Sequence, residues 1–568
     1  MLPRASSKLP VWLPSWLTGY GRKQLPGDLA AGLIVTVMLI PQSLAYAMLA
    51  GLPPETGLYA SILPILAYAL FGSSMTLAVG PVAVVSLMTA SALQPLAAAG
   101  SPEYAAFAIQ LALLSGAMLF AFGLLRLGFL ASFISQPVVS GFISGSAILI
   151  ALGQARHVFG VRAGGEGAFD TAIHLVSALP ALNPATTAIG VGTIAFLLAA
   201  RSYLPALLER AMKRPLAELL AKLAPMAAII VTTGLAAALE LDTKAGVSVV
   251  GAVPSGLPSL GLPLPGASAL ASLWLPALLI SLVGFVESVS VARSLGLKRR
   301  ERVMPDRELL GLGAANLASA VSGGFPVTGG FARSIVNFAA GANTPLAGVV
   351  SALLMVGVIA GLTGLFHSLP HAVLAATIIV AVSSLFDWAA VREAWRYDRG
   401  DAVALLVTLG SVVVLGVEQG ILAGIGASLA LLVWRSSRPH IALVGRVPGT
   451  EHFRNVERHD VETVPGLAAL RVDESLFFGN AAAVEERIEQ AIAVRPGTRR
   501  VLLIFSAVNH VDATALGMLD ELERGLAERG IDLHLAEVKG PVMDRISRTP
   551  FGARMADRIH LSTHDAFV

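Results

Sequence analysis

Two ionisable residues, Glu287 and Arg333, each stand alone in a long apolar stretch, and the chemistry of this chain begins with them. No Asp, Glu, Lys or Arg occurs from Ala245 to Val286, so Glu287 interrupts a charge-free run. Arg333 likewise separates Leu309–Ala332 from Ser334–Phe386, both free of formal charge. A charge at the centre of a bilayer costs at least about 2.5–3.5 kcal/mol, so such residues face a partner or a water-filled path and mark a transport site by default. A guanidinium stays protonated and presents a planar fork of donors that suits an oxyanion. The competing role for Arg333 is simple pairing with a buried carboxylate. Glu287 has Ser288 and Ser290 close by and admits three roles. Burial disfavours a charged carboxylate, so Glu287 could carry a proton near neutral pH. It could instead ligate Na⁺ with carbonyls of unwound backbone, or form a fixed ion pair with Arg333 that only sets geometry.

Glycine and proline indicate how these residues are held. Val79-Gly80-Pro81 interrupts the apolar run Thr56–Pro102, and Gly323-Gly324-Phe325-Pro326-Val327-Thr328-Gly329-Gly330 precedes Arg333. Each cluster is followed by a short helical pattern, Ala83–Ala92 and Phe331–Ala340. A lone Gly-Pro is ordinarily a kink; two breaks, one in each half, point to discontinuous helices at a binding site. If both short helices start near the midplane, their unpaired N–H groups and positive dipole ends share one cavity, which favours an anion. Gln42 and Tyr46 lie four apart beside Pro41 and share a helix face. Gln42 could donate to the anion and Tyr46 wall the site, or both could serve interhelical packing. Gly141-Phe142-Ile143-Ser144-Gly145 reads as close helix packing.

The remaining composition agrees with a membrane protein. Of 568 residues 55% are hydrophobic and 14% charged, with mean hydropathy +0.73. Leu29–Pro54, Thr56–Pro102, Tyr104–Leu125 and Leu127–Ala155 carry no formal charge and lie nearly back to back. At roughly 20 apolar residues per crossing, the chain has room for about 14 spans. With no cysteine there are no disulfides, thiolate metal sites or Cys nucleophiles. No Gly-Lys dipeptide occurs, so a Walker A loop and ATP-driven pumping by this chain alone are excluded. His367 and His371, flanking Pro370, read as span-end histidines, and no metal or other cofactor is expected. Lys298-Arg299-Arg300 is better read as a positive-inside anchor than as a nucleic-acid tract. The first segment, residues 1–28 with Trp12 and Trp16, lacks the pattern of a secretory signal and is read as cytosolic.

Asp, Glu, Lys and Arg make up 34 of the last 128 residues, about 27%, against 43 of the first 440, about 10%. The expected division is therefore a membrane region over residues 29–435, ending at Trp434-Arg435, and a soluble tail over 436–568. In that tail Leu467–Val472, Arg500–Phe505 and Ile531–Glu537 read as strands, and Ala482–Val494 and Leu516–Arg529 as helices. The order predicts a small α/β domain with a helix-covered sheet.

These residues resemble the SulP family of anion transporters over nearly the whole chain. The resemblance rests on Pro41-Gln42-Ser43-Leu44-Ala45-Tyr46-Ala47, Ala50-Gly51-Leu52-Pro53-Pro54, Gly57-Leu58-Tyr59 and Phe71-Gly72-Ser73. It continues through Gly80-Pro81-Val82-Ala83-Val84-Val85-Ser86-Leu87-Met88, then Phe325-Pro326-Val327-Thr328-Gly329-Gly330-Phe331-Ala332-Arg333-Ser334 and Gly341. It implies a polytopic α-helical protein of 14 spans in two inverted seven-span repeats, core and gate domains, two half-helices at the midplane, a cytosolic STAS domain and a homodimer. It also implies an anion site between the third and tenth helices, with the first and eighth contributing. That places Gln42, Tyr46, Val82, Ala83, Glu287, Phe331, Ala332, Arg333 and Ser334 around the anion. Some animal members carry an aromatic where Val82 stands and a serine where Ala332 stands, which leaves this pocket more open and less polar. The bicarbonate–sodium members have Asp in place of Glu287 and lack the Arg, which weakens the Na⁺ role. Val511-Asp512-Ala513-Thr514-Ala515-Leu516-Gly517 is similar to a STAS loop-to-helix segment in which bacterial relatives are phosphorylated. Thr514 stands at that place, although helix capping by Asp512 or Thr514 is the simpler role.

The expected function is secondary active transport of a small oxyanion, sulfate foremost, coupled to protons through Glu287 and moved by an elevator-type rigid core. No enzymatic activity and no nucleic-acid partner are expected. The alternatives are a bicarbonate or C4-dicarboxylate symporter or exchanger driven by H⁺ or Na⁺, and an anion channel or voltage-responsive motor. The expected location is the cell inner membrane, with the STAS domain in the cytoplasm.

Overall fold

The computed structural model describes residues 14, 16–17, 19–132, 135–165, 167–261 and 266–567; Trp12 in the predicted segment 1–28 lies outside them. The chain divides into two compact units, Met1–Ser428 and Leu429–Val568.

The first unit is helical. Its main elements are α1 (Leu25–Leu49), α2 (Leu63–Phe71), β1 (Val79–Gly80), α3 (Ala83–Leu93), α4 (Pro102–Leu124), α5 (Gln136–Phe159), α6 (Pro184–Leu208) and α7 (Ala224–Leu239). They are followed by α8 (Ala267–Arg299), α9 (Pro305–Val321), β2 (Thr328–Gly329), α10 (Phe331–Ala339), α11 (Leu346–Gly361), α12 (His371–Ser383), α13 (Arg399–Leu415) and α14 (Val417–Ser437), a helix whose residues from Leu429 onward fall in the second unit. Among the described residues seven helices are long and apolar enough to cross a membrane by themselves, α1, α4, α5, α6, α8, α14 and the segment His371–Tyr397 that contains α12.

Packing repeats itself between the halves. α4 lies against α8 and α9, while α11 lies against α1 and α2; α10 meets α1, while α3 meets α8. Exchanging the first seven helices with the last seven therefore carries one set of contacts into the other. At the centre β1 and β2 pair antiparallel, Val79 opposite Gly329 and Gly80 opposite Thr328, as an inverted repeat requires. A second group forms where α5 packs on α12 and α13, and α6 on α12. The α5–α13 contact explains the glycine pair. A Cβ on Gly141 would run into the Leu405 carbonyl, and one on Gly145 would come within 2.8 Å of Val412.

The second unit is a six-stranded sheet with helices. Its strands are β3 (Ile441–Arg446), β4 (Phe453–Asn455), β5 (Leu467–Val472), β6 (Arg500–Ile504), β7 (Asp532–Ala536) and β8 (Ile559–His560), in the order β4-β3-β5-β6-β7-β8. β5 to β8 run parallel and β3 antiparallel to β5. Leu470, Leu503 and Leu535 face helices α15 (Ala481–Ala493) and α16 (Ala513–Glu528). Ala469, Leu502, Ile504 and Ala536 cover the opposite face with Phe567. Burial on both faces is why RVLLIF is an unbroken apolar run instead of an alternating one.

Candidate functional site

Both predicted breaks are present. Backbone pairing of β1 with β2 replaces helix at each, and α3 and α10 begin within a few residues of them. The N-cap positions Val82 and Gly330 offer no side-chain cap, so the first N–H groups of both helices have no acceptor within their own helix.

The unwound segment is clamped by side chains whose part was not legible in sequence. Asn316 on α9 donates through Nδ2 to the Val327 carbonyl and accepts at Oδ1 from the Val327 N–H, both at 2.9 Å. Ser319 donates to the Phe325 carbonyl at 2.7 Å. Ser288 on α8 accepts from the Gly329 N–H at 2.9 Å and shares a hydrogen bond with the Thr328 hydroxyl at 2.7 Å. Ser288, adjacent to Glu287, therefore positions the break; Ser290 is exposed. The signal that could have found this clamp is the small polar residues facing a Gly-rich stretch in a chain otherwise poor in polarity.

Arg333, in the first turn of α10, is 2% exposed and reaches across the two breaks. Its Nη1 donates to the Pro81 carbonyl at 2.6 Å and to Gln42 Oε1 at 3.3 Å. Its Nε and Nη2 are buried with no hydrogen-bond partner. The guanidinium lies against two glycines. A Cβ at Gly80, whose φ is +151°, would come within 3.3 Å of Nη2, and one at Gly330 within 3.1 Å.

Ser334 is fully buried, accepting from the Ala78 N–H at 2.9 Å and donating to the Gly330 carbonyl at 2.7 Å. Its hydroxyl ties the two breaks together. Val82 and Ala83 are buried at 7% and 6% exposure, whereas Phe331 and Ala332 are exposed. A cavity of about 170 Å³ brings Gln42, Tyr46 and Ala332 together with α6, α7 and α12. The Gln42 carboxamide is thus the link between the cavity wall and the guanidinium.

Carboxylates with buried oxygens in the first unit differ in their environments. Asp28 accepts from the Asn343 and Thr344 N–H groups and the Thr344 hydroxyl, and Glu308 from Tyr68, Ser73 and Ser74. Both are satisfied anchors. Glu287 differs, because its Oε2 is buried with no hydrogen-bond partner, a state shared by Oε1 of Glu418 in the first turn of α14. It lies within electrostatic reach of Arg333 and Tyr46, yet among the described residues no carboxylate pairs with Arg333 within 4.0 Å. The fixed ion pair is therefore not formed.

In the second unit Asp512 caps α16, accepting from the Ala515 N–H at 2.8 Å and the Phe478 N–H at 2.9 Å. These backbone N–H groups hold its carboxyl below the usual carboxylate range. Thr514 is exposed on the first turn.

The sequence pattern of the sulfate permease family matches residues 25–408, and that of the STAS domain residues 458–566. The chain belongs to the sulfate permease family. It is 34% identical to the chloroplastic sulfate transporter 4.1 of Arabidopsis thaliana over 554 residues, 94% of this chain and 79% of that one. It is also 34% identical to a probable sulfate transporter of Mycobacterium tuberculosis over 522 residues, 92% of this chain and 90% of that one. The fold is shared with murine Slc26a9 in an inward-facing state at a TM-score of 0.88 and 21% identity, over 100% of this chain and 96% of that one. The transmembrane domain of the cyanobacterial bicarbonate transporter BicA aligns at 0.59 and 25% identity, over 72% of this sulfate permease-family chain and 99% of that one.

Proposed function

We propose that this protein is a secondary active carrier of a small oxyanion, with sulfate the first candidate. One observation carries the reading: a buried guanidinium with two unpartnered donors, Nε and Nη2, set between two half-helix N-termini. Those donors lack only an acceptor, and a divalent tetrahedral anion supplies several. Gln42, Tyr46 and Ala332 line the adjoining cavity and would contact the bound ion, with Val82, Ala83 and Phe331 around it. The names of the Arabidopsis and Mycobacterium relatives support sulfate.

Coupling is assigned to Glu287, which has an unsatisfied buried oxygen, as Glu418 also does, and which unlike Glu418 lies within electrostatic reach of Arg333. A proton on that oxygen removes a buried negative charge near the anion, so proton and anion load together and return together. The core group of α1–α4 and α8–α11 would move as a rigid body against α5–α7 and α12–α14, an elevator motion across 14 spans that include the shorter helices. A homodimer in the cell inner membrane, with the STAS unit in the cytoplasm, completes the reading; Thr514 is the candidate phosphorylation position. No catalytic step belongs to it.

The test is radiolabelled sulfate uptake by proteoliposomes under imposed ion gradients, with bicarbonate and succinate as competitors. Uptake should rise with an inward proton gradient and not with Na⁺. Glu287→Gln should abolish gradient-driven accumulation while leaving sulfate exchange measurable. Undiminished accumulation by that variant removes the proton role. The BicA match favours a second reading, in which bicarbonate is carried; competition by bicarbonate stronger than by sulfate analogues selects it.

A further inference from the structure

A second cavity, of about 390 Å³, opens between the core group and α5 and α12, toward the C-terminal end of α1. It is larger than the cavity beside Arg333, and the two share Ala45 and Ile378 in their walls. Those side chains are 1% and 3% exposed, so two buried apolar groups separate the chambers.

The larger chamber has an unusual lining for this unit. Arg156, His157 and His371 all face it, and none of its lining residues is acidic. Glu55 and Glu103 lie close in sequence to the lining and outside it. Arg156 donates through Nη1 to the Ala163 carbonyl at 3.1 Å and through Nε to His157 Nε2 at 3.3 Å, and Nη2 takes part in neither bond. Because His157 Nε2 accepts, its Nδ1 carries the proton and is a donor. The His157 and His371 rings meet edge to face at 6.1 Å. A fixed positive charge and ring N–H donors, with no competing carboxylate in the lining, concentrate anions by field.

We propose that this chamber is an antechamber for the oxyanion, which is held beside Arg156, His157 and His371 before Ala45 and Ile378 part to admit it to the Arg333 site. The inference rests on the carrier reading and adds a second anion position on one side of the membrane. Initial-rate sulfate uptake by intact cells and by inside-out vesicles from the same cells tests it. Arg156→Gln removes the charge; Ala99→Glu adds an opposing one at an exposed wall position without breaking a hydrogen bond. Each should raise KM about three- to tenfold on one side of the membrane only, with Vmax unchanged, the effect of one screened charge near the ion. Raising ionic strength should move the wild-type KM toward that of the variants. If Ala99→Glu leaves KM unaltered on both sides, or raises it equally on both, the antechamber is overturned while the carrier reading stands. If the wild type carries no oxyanion at all, the carrier reading falls and this inference with it.

Discussion

At the scale of single residues, the useful distinction is between polar groups that are satisfied and polar groups that wait. Buried polar atoms are nearly always hydrogen-bonded, so an orphan calls for a ligand or a function. Asp28 and Glu308 are saturated by backbone and hydroxyl donors, while Glu287 Oε2 and Arg333 Nε and Nη2 are not. Arg333→Lys keeps the charge and loses the fork. With a charged hydrogen bond contributing about 1.5–3 kcal/mol, kcat/KM for sulfate should fall about 10- to 100-fold in proteoliposomes. Gln42 and Ser334 should separate cleanly. Gln42→Ala removes a group on the cavity wall and should weaken transport with little change in melting temperature. Ser334→Ala leaves the Ala78 N–H without its acceptor and should cost about 1–3 kcal/mol of stability, read as a lower melting temperature in detergent. The reverse pattern would exchange brace for ligand.

At the scale of elements, the two broken helices depend on glycines that make room for the guanidinium. Gly80→Ala and Gly330→Ala would press a methyl to within 3.3 and 3.1 Å of it. Each should cut uptake at least about tenfold while the protein still inserts, a modest displacement being enough to spoil binding geometry; uptake at wild-type rates would mean the pocket is looser than drawn. These breaks were legible because Gly and Pro punctuate a span so sharply: α3 and α10 start at the predicted Ala83 and Phe331. The clamp around them was not, since Asn316, Ser319 and Ser288 look like ordinary small polar residues until the fold sets them opposite Val327, Phe325 and Gly329. The role of Ser334 was hidden for the same reason, because its partner Ala78 is remote in sequence. In the tail, β5, β6 and β7 were visible as apolar runs. β4 and β8, at three and two residues, are too short to show a period, and α16 begins three residues earlier than its apolar pattern because Asp512 caps it.

At the scale of the molecule, the charge-rich tail should behave as an independent body with its own acid sensitivity. Its unit has a core of its own on both sheet faces, and about 130 residues suffice for a stable domain. Within it His534 and His560 stack at 5.1 Å, with His534 Nδ1 and His560 Nε2 at 2.8 Å, so one ring donates to the other and a proton on both would break the contact. Burial, with Arg500 and His560 nearby, pushes the His534 imidazole down to about 4 from its ordinary 6.5. The unfolded chain therefore takes up a proton that the folded one refuses between those values. Stability should be full above about pH 6.5 and decline as the pH falls toward about 4. For a half-exposed ring the loss should be about 1–2 kcal/mol, well below the unscreened figure. Thermal melts of residues 436–568 at pH 7.5 and pH 5 measure it, with His534→Gln as the control that should flatten the difference. An equal drop in that variant would mean the acid sensitivity resides elsewhere in the domain, and an absent cooperative transition at pH 7.5 would mean the tail does not fold without the membrane region.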